Sequence, residues 1–200
     1  DLFFANGHLN SVSGDNRQFN LLFENDGRGR YTDISEKSGL LATGKRIHRS
    51  AIFADYDDDG RVDIFVTVNG QQVEDGQGNN IFDPNQGKGI LFHNETKSDN
   101  NWLKVRLEGT KSNRDGFGAT VSITAGPVKD KQALISGQGY FSANAKEIYF
   151  GLGSIDTIEK IDVSWPSGID QTFENIPANQ TVYIVEGETL HQNTLYLSVK

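Results

Sequence analysis

Residues 55–63 read Asp-Tyr-Asp-Asp-Asp-Gly-Arg-Val-Asp, a stretch whose residue types and spacing point to a specific chemistry. Counting Asp55 as the first position, carboxylates stand at 1, 3, 5 and 9 and glycine at 6. That is the spacing of a twelve-residue calcium loop. Alternating acids converge, Gly60 supplies the sharp bend, and the Arg61 carbonyl at position 7 turns inward. Oxygen-only ligands suit Ca²⁺ and argue against zinc or copper. Five aspartates and Arg61 together carry −4, half of the chain's net −8. Charges this dense repel one another unless a cation neutralises them. The predicted ligands are Asp55, Asp57, Asp59 and Asp63, with Arg61 contributing through its backbone.

The loop departs from an EF-hand at position 12, where Val66 replaces the bidentate Glu. Asp63 is expected to bind directly instead. The loop then runs into Val62-Asp-Ile-Phe-Val-Thr-Val68, whose β-branched and aromatic residues predict a strand, not the exit helix of an EF-hand.

The elements that position this loop belong to an internal repeat. Asp1-Leu-Phe-Phe-Ala-Asn-Gly7 resembles Asp63-Ile-Phe-Val-Thr-Val-Asn-Gly70, and Leu21-Leu-Phe-Glu-Asn25 resembles Ile90-Leu-Phe-His-Asn94. The offsets are 62 and 69, and the polar loop 70–89 absorbs the difference. One unit is predicted to run through strands 2–5, 20–24, 30–34 and 50–54 into the acidic loop. Short strands recurring at this scale suggest propeller blades. Asp1 aligns with Asp63, so the chain begins where a similar loop would have ended, and fewer than two units cannot close a ring. From Trp102 onward, strands are expected at 102–108, 119–125, 131–136, 146–151, 158–165, 170–174 and 181–186. Joined by turns such as Pro166-Ser-Gly168, they predict an antiparallel β-sandwich or small barrel. A further strand is expected at 194–200. The domains are thus 1–98, 99–187 and an extra strand within 188–200, all of them β.

Composition bounds the rest. Two hundred residues allow real cores, and the absence of cysteine removes disulfides, thiolate sites and a cysteine nucleophile. The acidic balance disfavours nucleic acid and anionic membranes, and no apolar run is long enough to span a bilayer. No methionine occurs, even at residue 1, and no signal sequence is present, so the chain reads as a processed product or a piece of something longer. A calcium loop of this kind is most useful outside the cell, where calcium is plentiful.

Other candidates are weaker. Asn94-Glu-Thr96 and Asn179-Gln-Thr181 are glycosylation sequons if the chain travels a secretory route. His8, His48, His93 and His191 have no ligand spacing and read as surface or capping residues. No nucleophile elbow occurs, and no Gly-x-Gly extends to the dinucleotide motif. Arg114-Asp-Gly116 reads as a turn with its own Arg–Asp pair. Trp102 and Trp165, on predicted strands, read as core residues before sugar platforms.

Several segments resemble a known pairing of families. Asn101-Trp-Leu-Lys-Val-Arg-Leu-Glu-Gly-Thr-Lys-Ser-Asn-Arg-Asp-Gly-Phe-Gly-Ala119 resembles the opening of the ASPIC/UnbV domain. So do Phe150-Gly-Leu-Gly153, Trp165-Pro-Ser-Gly168 and Asn175-Ile-Pro-Ala-Asn-Gln-Thr181. Residues 1–96 are similar to FG-GAP/VCBS repeats, the calcium-binding propeller units of integrin α-chains and many bacterial surface proteins. The pairing looks like the C-terminal part of a cartilage-acidic-protein-like secreted protein, and it covers the chain up to Gly187. It implies an extracellular, non-catalytic protein and places the metal role on Asp55, Asp57, Asp59 and Asp63. The small number of repeats and the strand at 194–200 depart from that pattern.

The expected function is a calcium-stabilised extracellular structural or adhesion module without catalysis. Its expected partners are other copies of itself, through strand addition at its terminal strands, or an extracellular protein or glycan. A carbohydrate- or protein-binding module of a larger secreted protein is the alternative, and a glycan-active enzyme fragment is the remote one.

Overall fold

The protein is all-β. Its structure, a computed structural model, describes residues 1–8, 17–70, 72–74, 77, 80–82 and 87–188, with 72–74 and 80–82 described by backbone alone. The strand expected at 194–200 and His191 lie outside the described residues. The chain forms two compact units that interleave in sequence. The first comprises Asp1–Tyr56, Val62–Asn94 and Gly137–Ala143; the second comprises Asp57–Arg61, Glu95–Ser136 and the described residues from Asn144 on.

The first unit contains β1 (Leu2–Phe4), β2 (Leu21–Asn25), β3 (Tyr31–Asp33), β4 (Ile47–Ala54), β5 (Asp63–Asn69), β6 (Gln72–Glu74), β7 (Asn80–Phe82) and β8 (Ile90–Phe92). Two three-stranded sheets, ordered β1-β2-β3 and β4-β5-β8, carry the repeat, and β6 pairs with β7. The repeat seen in the sequence is a repeat of register. Leu2 faces Phe23 and Phe4 faces Leu21, as Ile64 faces Phe92 and Val66 faces Ile90. It extends to side chains: Asp1 Oδ1 accepts the Asn25 N–H at 2.8 Å, and Asp63 Oδ1 accepts the Asn94 N–H at 2.7 Å. The sheets meet through Phe3, whose ring is 6.3 Å from that of Phe53 and 6.5 Å from that of Phe92.

The second unit contains β9 (Asn101–Glu108), β10 (Thr120–Ala125), β11 (Val128–Ala133), β12 (Glu147–Gly153), β13 (Thr157–Ser164), β14 (Asp170–Pro177) and β15 (Gln180–Val185). Alternation along β9 and β10 turns Leu103, Val105, Val121 and Ile123 inward. A four-stranded sheet, β11-β10-β13-β14, and a three-stranded sheet, β12-β9-β15, both supply the buried core. The β13–β14 ladder skips Glu159 and Asn175, and Asn175 takes a left-handed φ of 56°, so both Ile158 and Ile161 reach the core. One pair departs from the antiparallel pattern: β15 runs parallel to β9, from Gln180 beside Leu103 to Val185 beside Glu108.

Three side chains are corrected here. Asp115 pairs with Lys146 Nζ at 2.7 Å and not with Arg114, because its N–H donates to Asn113 Oδ1 and the turn carries the carboxylate away from its neighbour. His48 is fully buried, with Nδ1 3.1 Å from the Asn6 carbonyl, and burial lowers its pKa. Trp165 is a core residue, but Trp102 is only half-buried.

Candidate metal centre

The acidic loop is the turn of the β4–β5 hairpin, and its ends are fixed by pairing of Ala54 with Asp63. Its backbone is bent at two left-handed residues, Asp58 (φ 59°) and Gly60 (φ 86°). Aspartate tolerates that region better than most side chains, and glycine has no Cβ to obstruct it. The bends bring carboxylate oxygens of Asp55, Asp57 and Asp59 within 4.8 Å of one another. These are positions 1, 3 and 5 of the predicted loop.

Asp63 has a second task. It is buried; Oδ2 accepts the Tyr56 N–H at 3.2 Å, while Oδ1 accepts the Asn94 N–H and lies 3.1 Å from His93 Nδ1. One carboxylate thereby holds both ends of the turn and the end of β8. A second convergent group consists of Asp57, Asp63 and His93. His93 was missed as a participant because its approach depends on strand pairing across thirty residues. The repeat gave one signal, since His93 precedes Asn94 as Glu24 precedes Asn25.

Arg61 contributes through its side chain as well as its position. Its N–H donates to Asp59 Oδ1 at 2.8 Å, and its guanidinium pairs with Asp59 Oδ2. A cation at this carboxylate would share it with Arg61. Asp58, at the position the calcium spacing leaves out, points elsewhere. Its Oδ1 accepts a hydrogen bond from Lys104 Nζ, and that bond, with the positive charge of Arg106 beside it, holds its carboxyl below the usual range. Lys104 is itself buried, and its ammonium lies 6.0 Å from the centre of the Trp102 ring. Arg106 also pairs with Glu147.

Asp58→Asn should therefore separate packing from metal binding. Asparagine accepts the left-handed backbone but cannot neutralise a buried ammonium. Because the Asp58 side chain is 60% exposed, the loss should be modest, about 1 kcal/mol in urea unfolding. Calcium titration of the same variant should be nearly unchanged.

The sequon asparagines are engaged in the fold. Asn94 Nδ2 donates to the Val62 carbonyl at 3.2 Å. Asn179, at φ 59°, accepts the Trp102 N–H and donates Nδ2 to Asn101 Oδ1 at 2.7 Å. A glycan on either nitrogen would replace one of those donor hydrogens.

Comparison with known families accounts for most of the chain. The FG-GAP-like repeat matches residues 1–66, and ASPIC and UnbV matches residues 109–191. No curated protein matches the chain. FG-GAP repeats are β-propeller elements that commonly bind calcium and are typical of extracellular proteins. No helix among the described residues is long and apolar enough to cross a membrane. The strand pattern, the hairpin loop and the motifs around Trp165 agree on one assignment: this chain joins an FG-GAP-like repeat segment to an ASPIC and UnbV domain.

Proposed function

We propose that this chain is a calcium-stabilised extracellular module with a structural or adhesive role and no catalytic one. The observation that carries the reading is the convergence of Asp55, Asp57 and Asp59 within 4.8 Å on a turn fixed by Asp63. Three hard, anionic oxygen donors on alternate residues suit Ca²⁺, and their mutual repulsion is relieved when a divalent cation sits among them. Asp63 and the backbone of Arg61 complete the proposed ligand set. A strand follows the loop, so calcium here stiffens a turn; the helix opening of a sensor EF-hand has no counterpart.

The test is thermal and urea unfolding of the full chain in excess calcium and in chelator. A ligand bound only by the folded state stabilises it by about 2.7 kcal/mol at one hundred times its dissociation constant. Calcium should raise the transition midpoint, and Asp57→Asn should abolish most of that rise. Identical transitions in calcium and chelator would reject the reading.

A self-associating subunit is the second reading. Sheet β1-β2-β3 has β1 at its edge, and an open edge is a template for another strand. Strand addition at the chain's terminal strands would satisfy such an edge. Filaments that persist after deletion of residues 194–200 would remove the C-terminal strand from that scheme.

A further inference from the structure

A histidine lies against the acidic turn, and its nitrogen changes the donor set. Asp63 opens β5 and His93 follows β8, and the pairing of these strands sets Ile64 opposite Phe92. Carried one step further, that register sets Asp63 opposite His93, with His93 Nδ1 3.1 Å from Asp63 Oδ1. Asp57 reaches the pair from the turn, and one donor atom from each of the three lies within 4.8 Å of the others. This trio differs from Asp55, Asp57 and Asp59; Asp57 alone is common to both. In the repeat, Glu24 stands where His93 stands, so the nitrogen belongs to this hairpin and not to the repeat pattern.

Oxygen-only donors disfavour zinc at the loop, whereas one imidazole with two carboxylates is a donor set that first-row transition ions accept. The two aspartates balance the double charge of such an ion. Bonds of about 2.0–2.1 Å at tetrahedral angles hold two ligand atoms roughly 3.3 Å apart, close to the separation of Asp63 and His93. Asp63 is also held ready. It is 2% exposed, and the N–H groups of Tyr56 and Asn94 fix its two oxygens. A ligand anchored by such hydrogen bonds is oriented before the ion arrives. Tyr56 steadies the His93 ring, edge to face with 5.6 Å between centroids. The His93 side chain remains 34% exposed, which leaves the ion a route in from solvent.

The geometry points to a second metal site on this hairpin, where Asp57, Asp63 and His93 bind a first-row transition ion of the zinc class. It excludes calcium from the turn, because Asp57 serves both sites and Asp63 completes the ligand set proposed for calcium. Calcium in excess therefore weakens zinc. The zinc site stands without the calcium reading; the competition alone rests on it.

The test is isothermal titration of the full, chelator-stripped chain with zinc, repeated in excess calcium, with circular dichroism to confirm folding. The wild-type chain should bind zinc saturably, a single ion per chain. His93→Gln should weaken that binding by about tenfold or more. Asp59→Asn, outside the trio, should change zinc affinity far less than His93→Gln does. If His93→Gln misfolds, diethyl pyrocarbonate labelling of the wild-type chain, mapped by peptide mass spectrometry, gives a second readout. Zinc should protect His93 and leave the exposed His8 reactive. Absence of saturable zinc binding, equal zinc affinity in His93→Gln, or labelling of His93 unchanged by zinc would each overturn the inference. Zinc affinity indifferent to bound calcium would overturn the sharing of ligands. A chain that binds zinc through His93 and does not bind calcium upholds the site and counts against the calcium reading alone.

Discussion

Glu186→Ala should unfold the second unit far below the wild-type melting temperature, and Glu186→Gln should remove a specific band of acid sensitivity. Glu186 follows β15 and is only 2% exposed. Its Oε2 accepts the N–H groups of Thr110, Lys111 and Ser112 at 2.8, 2.7 and 2.7 Å. Its Oε1 accepts Ser112 Oγ at 2.8 Å and the Ser167 hydroxyl. Burial alone would raise its pKa, but the donors from Ser112, Ser167 and Lys111 outweigh it and lower the value from 4.5 to about 2. The folded state thus binds this proton more weakly than the unfolded chain. Its contribution is complete above pH 4.5 and is lost as pH falls from 4.5 towards 2. Alanine leaves the N–H groups of Thr110, Lys111 and Ser112 without their shared acceptor, and the melting temperature should drop on the order of 10 °C. Glutamine keeps one acceptor oxygen and should cost less, while the pH dependence of urea unfolding between 4.5 and 2 becomes shallower. Unaltered pH dependence in the glutamine variant would contradict the assignment.

The second large effect is expected at Gly60. A Cβ there would lie 2.2 Å from Cε2 and Nε1 of Trp102, and φ is 86°, so an added methyl meets both an aromatic ring and an unfavourable backbone. Strain and overlap together predict that Gly60→Ala loses ~2–4 kcal/mol. The bend lies next to Asp59, so calcium affinity should also fall about tenfold, a change of ~1.4 kcal/mol. Trp102→Ala opens the space. In a double-mutant cycle the pair should therefore be less destabilised than the sum of the single changes by about 1 kcal/mol or more. Strict additivity would mean that the ring does not confine the turn.

Local pattern was legible wherever the physics is local. The strands of the second unit follow from alternation: β10 at 120–125 against an expected 119–125, and β14 beginning at Asp170 as expected. The repeat was legible because register and side-chain role are both encoded in Asp-hydrophobic-Phe and Asn. What eluded the sequence is set by pairing between distant segments. Glu186 looks like an ordinary residue at a strand end, because its backbone donors lie 74 to 76 positions away and the Ser167 hydroxyl 19 away. His48 carries no ligand motif, and burial follows from the packing of Asn6 and Gly7 against β4. The segment 137–143 falls inside the predicted domain 99–187, yet Ser50 Oγ donates to the Tyr140 carbonyl at 2.7 Å and the segment belongs to the first unit. At the acidic loop, the spacing located the carboxylates that converge, but not the diversion of Asp58 to Lys104.

The parallel pairing of β15 with β9 has a mechanical consequence. Tension that enters the domain before β9 and leaves after β15 pulls at opposite ends of that pair, since Gln180 lies beside Leu103 and Val185 beside Glu108. The strands are then loaded in shear, and the ladder bonds must fail together and not one at a time. An antiparallel closure would place both points of pull at the same end and peel the ladder open. A chain that bears load between its ends would gain its resistance from this one pair of strands.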